Sequence, residues 1–361
     1  MRNIYLAVIR GDRKGLFATV LKGILYVLSL GYFVGYKLRA ALYKVGILKS
    51  TKLPCKVISM GNITVGGTGK TPAVEWLAKW FVSRNMKVAI LSRGYGAIPS
   101  QDVDDESPFD LSVENIIRVT GKDRVSLAKR VIAEYKSDII ILDDGFQHFR
   151  IKRDIDILTV DATNPFANGY LLPRGFLRET PSSIKRADVI LLTRVNQTSG
   201  EELALLKTRL QPITADRCIV ESIHKPIYVK NIFKAETTHY AEWLKGRKCY
   251  AFCGIGNADA FRKTVESLGA ELVRFRHFPD HYNYTELEIR QIVAEAQEFM
   301  ADILITTEKD AIRLRSIGDS FALPIFFLKI ELDIIKNLEL MEKKLEALMS
   351  AVAKEVSPST K

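Results

Sequence analysis

Ile58-Ser-Met-Gly-Asn-Ile-Thr-Val-Gly-Gly-Thr-Gly-Lys-Thr-Pro72 carries the chain out of an apolar strand, through a glycine-rich loop and into a helix. Val57 and Ile58 end the strand, and Trp76, Leu77, Trp80 and Phe81 recur at helical spacing after Lys70-Thr71. Glycines let backbone N–H groups close round a polyphosphate, and the helix N-terminus adds positive potential. In that layout Lys70 reaches the β- and γ-phosphates and Thr71 offers its hydroxyl to Mg²⁺. Gly66, Gly67, Thr68, Gly69, Lys70 and Thr71 are therefore the candidate ATP contacts. Thr64 stands where the usual pattern has its first glycine, so Gly66 and Gly67 are shifted inward. An ordinary strand-to-helix turn accounts for the glycines, but it gives no packing reason for a Lys-Thr pair at a helix start.

Downstream, apolar runs at 88–91, 116–119, 139–142, 155–160 and 189–192 alternate with helical patterns. This alternation predicts an α/β fold with a P-loop, doubly wound and mostly parallel sheet, whose ligands bind at the carboxyl ends of the strands. His224-Lys-Pro226 and a short strand mark a linker, after which a second alternating run predicts a smaller αβα domain. Gly254 and Gly256 lack the third glycine of a dinucleotide turn and read as a plain strand-to-helix connection. The expected boundaries are 1–50 for an N-terminal helical region, 51–222 for the nucleotide domain and 223–350 for the smaller domain. A disordered tail is expected over 351–361.

Four apolar residues, Ile139 to Leu142, run into Asp143-Asp144-Gly-Phe-Gln-His148. Stability gives a buried strand no reason to carry two carboxylates at its tip, whereas a Mg²⁺ site beside a phosphate loop needs one there. Asp143 and Asp144 are both candidates for the metal. Thr193-Arg194-Val195-Asn196 occupies the place of a guanine-reading motif without its Lys or Asp, which favours ATP.

A formal charge of +11 over 361 residues points to an anionic partner. No aromatic-basic module supports nucleic acid. The four cysteines form no CxxC pair and read as reduced thiols of a cytoplasmic protein. Residues 16–35, LFATVLKGILYVLSLGYFVG, are nearly all apolar and are flanked by Arg13-Lys14 and by Lys37, Arg39 and Lys44. Lys22 and three glycines interrupt the run, so the pattern predicts an interfacial helix held by its apolar face and by anionic head groups.

The phosphate loop GNITVGGTGKTP, then SRGYG (92–96), GKDRV (121–125), LDDGFQH (142–148), NGYLLPRGFLRE (168–179), FPDHYNYT (278–285) and TEKDAIRL (307–314) span almost the whole chain. In this order they resemble tetraacyldisaccharide 4′-kinase, the lipid A 4′-kinase of Gram-negative bacteria. The resemblance implies ATP-dependent phosphorylation of the 4′-hydroxyl of an acylated glucosamine disaccharide 1-phosphate. It implies a peripheral or monotopic enzyme on the cytoplasmic face of the bacterial inner membrane, with its N-terminal helix dipping into the lipid and no obligate protein partner.

Residue by residue, the family's candidate general base falls on Asp105, with Asp104 as the alternative one position earlier, because its Gly-Asp-Glu-Pro is Asp104-Asp105-Glu106-Ser107 here. His281 of Asp280-His281-Tyr282 is implied as the partner of that aspartate, acting from the other domain. Arg178 and Glu179 match the family's Leu-Arg-Glu-Pro, with Thr180 in place of Pro; both are implied to belong to the nucleotide site, with Arg178 on phosphate. Glu308, Lys309 and Asp310 match its Thr-Glu-Lys-Asp, although a helix start capped by Thr307 explains them equally well. A membrane-tethered P-loop switch ATPase of the partitioning or septum-site type is the alternative. It needs a second, early lysine in the loop, and Thr64-Val65 stand there.

Overall fold

The structure, a computed structural model, describes residues 2–93, 115–214, 217–234, 236–318 and 320–356. Its contacts divide the chain into two compact units. The first opens with helices α1 (Arg2–Arg10) and α2 (Leu16–Lys44) and continues through β1 (Lys56–Gly61), α3 (Lys70–Val82), β2 (Val88–Ser92) and β3 (Ile116–Thr120). It then runs through α4 (Arg124–Tyr135), β4 (Ile139–Asp143), β5 (Ile155–Asp161), β6 (Val189–Thr193), α5 (Gly200–Thr214) and the start of β7 (Cys218–Asn231).

These strands form the expected parallel sheet in the order β7-β6-β5-β1-β4-β2-β3. β4 and β6 are buried along almost their whole length, which is why they read as unbroken Ile and Leu runs rather than as alternation. β1 lies between β4 and β5, so the chain departs from it to one side and later returns to the other. Such a reversal places a ligand crevice at the carboxyl end of β1.

The second unit contains β8 (Thr238–Tyr240), β9 (Lys248–Cys253), α6 (Ala258–Ser267), β10 (Glu271–His277), α7 (Glu286–Glu298), β11 (Ile303–Thr307), α8 (Glu308–Leu314) and most of β12 (Ile325–Lys336). Its parallel order is β10-β9-β11-β12. Tyr250, Phe252, Ile289, Ile292 and Phe327 fill one cluster, and Cys249, Cys253 and Phe326 belong to another. All four cysteines are free. Gly254 opens the loop after β9 because a Cβ there would press on Tyr282, Tyr284 and Asp310 at 3.1–3.2 Å.

Two boundaries differ from the sequence reading. The second unit ends at Asp333, and the following residues, with α9 (Leu338–Val356), group with the first unit. Met341 and Leu345 are buried, Trp80 Nε1 donates to Glu342 Oε1 at 2.8 Å, and Asn337 Nδ2 donates to the Ile219 carbonyl at 2.7 Å. α9 also runs to Val356, through the strong helix formers Ala353, Lys354 and Glu355, past the boundary expected at 351.

α2 is longer than the apolar stretch that announced it, and it is long and apolar enough to cross a membrane. Only 17% of its most apolar window is buried, so it is not the core helix of a soluble domain.

Candidate active site

β1 delivers the chain to Gly61, where a Cβ would stand 2.5 Å from the Phe146 Cβ and 2.7 Å from the Phe146 nitrogen. The glycine lets the Asp-Asp-Gly-Phe turn lie directly against the phosphate loop. Gly66 (φ +123°) and Gly69 (φ +82°) adopt the left-handed backbone that curls the loop into α3. Beneath it runs a chain of buried hydrogen bonds. Asn62 Nδ2 donates to Thr68 Oγ1 (3.0 Å), the Thr68 hydroxyl lies 2.9 Å from that of Thr159, and Thr159 donates to the Gly61 carbonyl (3.1 Å). Thr193 Oγ1 donates to the Thr68 carbonyl at 2.9 Å. Thr159 and Thr193 sit near the carboxyl ends of β5 and β6, so the sheet itself fixes the loop. Sequence reading gave neither of them this role, since each is one hydroxyl at or near the end of an apolar run.

Asp143 ends β4 opposite Met60, and its carboxylate lies 3.6 Å from the Arg118 guanidinium. Asp144 takes the left-handed conformation at φ +55° and receives two cations, Lys70 Nζ at 3.2 Å and Arg178 Nη1 at 2.7 Å. Burial opposes its charge, but Lys70 and Arg178 outweigh burial and hold the carboxyl at about 2. Gly145 follows because a Cβ there would meet Leu142 at 2.6 Å.

Thr71, Asp143 and Asp144 supply hydroxyl and carboxylate oxygens, the donor chemistry Mg²⁺ takes. Among the described residues no group of three or more His, Cys, Asp or Glu stands together. That sparse set suits a cation held by one or two carboxylates and completed by water and substrate phosphate.

The segment leading to Arg178 pairs with the phosphate loop. Val65 N donates to the Phe176 carbonyl and Arg178 N to the Ile63 carbonyl, both at 2.7 Å. Arg178 is thus held beside the phosphate loop. Glu179 is turned elsewhere: it is 2% exposed, and its oxygens receive Arg186 at 2.6 and 3.0 Å and Gln147 Nε2 at 3.0 Å. Gln147 also donates to the Asn62 carbonyl at 2.9 Å. Glu179 therefore anchors the Arg178 segment to the loop's flank. Burial, with Arg124, Arg150, Arg153 and Arg39 nearby, pushes the His148 imidazole down to about 4.

In the second unit His281 takes a left-handed turn (φ +60°), and its N–H donates to the Gly254 carbonyl at 3.1 Å. Its Nδ1 lies 3.1 Å from Arg313 Nη2, and Asp280 is 3.9 Å from its Nε2. Arg313 in turn donates to Asp310 at 3.2 Å. Asp310 is fully buried and accepts from the Gly254 N–H (3.1 Å) and from the Thr307 hydroxyl (2.6 Å). Burial outweighs the pull of Asp280 on His281, and Arg313 and Lys309 add to it, so the imidazole titrates below its ordinary value. Thr307 caps α8, as expected, and Thr285 caps α7 in a capping box with Glu288. Glu308 pairs with Lys329 at 2.9 Å. Asp104 and Asp105 lie outside the described residues.

The family model for tetraacyldisaccharide-1-P 4′-kinase matches residues 21–350. A tetraacyldisaccharide 4′-kinase of Syntrophus aciditrophicus is 38% identical over 335 residues, 86% of this chain and 88% of that one. One of Halothermothrix orenii is 33% identical over 342 residues, covering 87% and 88%. The crystal structure of LpxK from Aquifex aeolicus in complex with ATP superposes with a TM-score of 0.66 at 28% identity, over 92% of this chain and 99% of that one. The chain belongs to the tetraacyldisaccharide-1-P 4′-kinase family.

Proposed function

We propose that the protein transfers the γ-phosphoryl group of ATP to the 4′-hydroxyl of a tetraacylated glucosamine disaccharide 1-phosphate, a step of lipid A biosynthesis. The observation that carries this reading is the meeting of Lys70 and Arg178 on Asp144 beside a glycine loop held by the sheet. Phosphoryl transfer needs positioning and electrostatic stabilisation more than covalent help from the protein. The loop backbone and the N-terminus of α3 bind the phosphates, Lys70 and Arg178 stabilise charge that grows on the transferring group, and Asp144 orients both cations. Thr71, Asp143 and Asp144 are the residues that would hold Mg²⁺, which would supply positive charge to offset that of the phosphates.

The acceptor hydroxyl must lose a proton as transfer proceeds. Asp105 is assigned as the base on the family pattern, and a neutral His281, oriented by Arg313, is assigned to the same step. The exposed apolar surface of α2, with Leu16, Val27 and Val34 more than 60% exposed, supports residence on the inner-membrane surface, where an acylated substrate lies. The switch-ATPase alternative is not favoured, because the family match covers most of the chain.

The test is incubation of the purified protein with labelled ATP, Mg²⁺ and the detergent-dispersed disaccharide 1-phosphate. Transfer of label to the lipid is expected. ATP hydrolysis without lipid labelling would refute the assignment.

A further inference from the structure

A continuous path of hydrogen bonds in the first unit leads from the exposed apolar helix to the phosphate loop. Tyr32 and Tyr36, one turn apart on α2, both address the backbone around Arg178. The Tyr32 hydroxyl donates to the Arg178 carbonyl at 2.9 Å. The Tyr36 oxygen accepts from the Thr180 N–H at 3.2 Å and lies 2.9 Å from the Thr180 hydroxyl. α1 grips the same segment higher up. Tyr5 donates to the Pro173 carbonyl at 2.7 Å, and Asn168 Nδ2 donates to the Ile9 carbonyl at 3.0 Å. Asn168 Oδ1 then accepts from the N–H groups of Tyr170 and Phe176, both at 3.3 Å.

The opposite edge of this segment pairs with the phosphate loop through Val65 and Ile63, and Arg178 reaches Asp144. Residues 168–180 are therefore clamped between the helix pair and the catalytic loop. Phenylalanine at positions 32 and 36 would serve equally well for lipid contact or ring packing. What the two tyrosines add is a hydroxyl, and each hydroxyl is spent on the segment that aims Arg178. Such bonds gain weight where water is scarce, as at a lipid interface.

We propose that Tyr32 and Tyr36 are positioning residues for phosphoryl transfer, acting through the backbone of residues 178–180 to hold the Arg178 guanidinium on Asp144. The proposal rests on the kinase reading above. The membrane-facing helix is thereby part of the catalytic alignment as well as an anchor.

The test is the double variant Tyr32→Phe, Tyr36→Phe, which keeps both rings. Loss of the hydrogen bonds to 178–180 is expected to lower kcat about 10-fold, with the KM for ATP and partition onto phospholipid vesicles little changed. Amide exchange at Val65 and Arg178, followed by mass spectrometry, should accelerate. In an Arg178→Ala background the same double substitution should cost less than about twofold, because the group being positioned is gone. An equal loss in both backgrounds would reduce the tyrosines to a general structural role and overturn the proposal. An unchanged kcat, or a loss of activity that tracks a loss of vesicle binding, would overturn it as well. Failure of the wild-type protein to label the lipid refutes the kinase reading instead, and amide exchange then still reports whether the tyrosines hold the loop.

Discussion

Arg178 Nη1 lies 2.7 Å from Asp144 Oδ2, and this contact joins the segment anchored by Glu179 to the tip of β4. Lys70 Nζ stands 3.2 Å from the other oxygen of the same carboxylate. One acid thus aims two cations, each from a different element of the first unit.

Replacing Asp144 with Asn should leave Lys70 and Arg178 facing each other uncompensated and lower turnover by roughly 10² to 10³. Lys70→Ala should cost about 10³ in kcat with an unchanged circular dichroism spectrum. The Asp144 carboxyl is held at about 2, below its ordinary 3.8. Its stabilisation is therefore complete above 3.8 and lost as pH falls through 2. The wild-type advantage in melting temperature over Asp144→Asn should disappear over that window. Near-normal turnover in a well-folded Lys70→Ala variant would sink the assignment of the loop.

His148 gives a pH dependence of the same sign in a higher pH window. Its folded value of about 4 lies below its ordinary 6.5, so the unfolded chain takes up a proton first as pH drops. Stability should decline from pH 6.5 toward 4 in the wild type and decline less in His148→Asn. Urea unfolding at pH 7 and pH 5 measures the difference, and parallel losses in the two proteins would show that His148 is not the group responsible.

His281→Ala and Asp105→Ala should each lower kcat by roughly 10² to 10⁴, the range for a positioned acid or base. Nucleotide affinity should be retained in both. Because Arg313 depresses the His281 titration and Asp280 raises it, Arg313→Ala should move the acid limb of the kcat profile to higher pH and Asp280→Asn to lower pH. Identical profiles in the three proteins would remove His281 from the ionisations that control turnover.

The membrane assignment is tested on the exposed face of α2. Val27 and Val34 are 66% and 61% exposed. Val27→Glu with Val34→Glu should move the protein from the membrane to the soluble fraction and raise the KM for lipid far more than that for ATP. Unaltered membrane association would place the anchor on another surface.

The amino-acid sequence alone determined the central strands of the nucleotide domain, the phosphate loop and the family. Strand burial on both faces writes itself as unbroken runs such as Ile139 to Leu142, and a phosphate site needs glycines, Lys70 and Thr71 contiguous at one strand-to-helix turn. Asp143 and Asp144 were legible for the same reason, since paired carboxylates at the tip of an apolar strand have no packing purpose. Only the tertiary structure decided the contacts that strand order creates. Tyr5 and Pro173 are 168 positions apart, Thr68 and Thr159 are 91 apart, and Trp80 meets Glu342 across 262. No local pattern encodes such pairings, because a tyrosine on an apolar helix or a threonine in a strand looks the same whether its hydroxyl faces water or a catalytic loop. Glu179 shows the limit most plainly: its motif suggested a nucleotide contact, and the fold gave its carboxylate to Arg186 and Gln147.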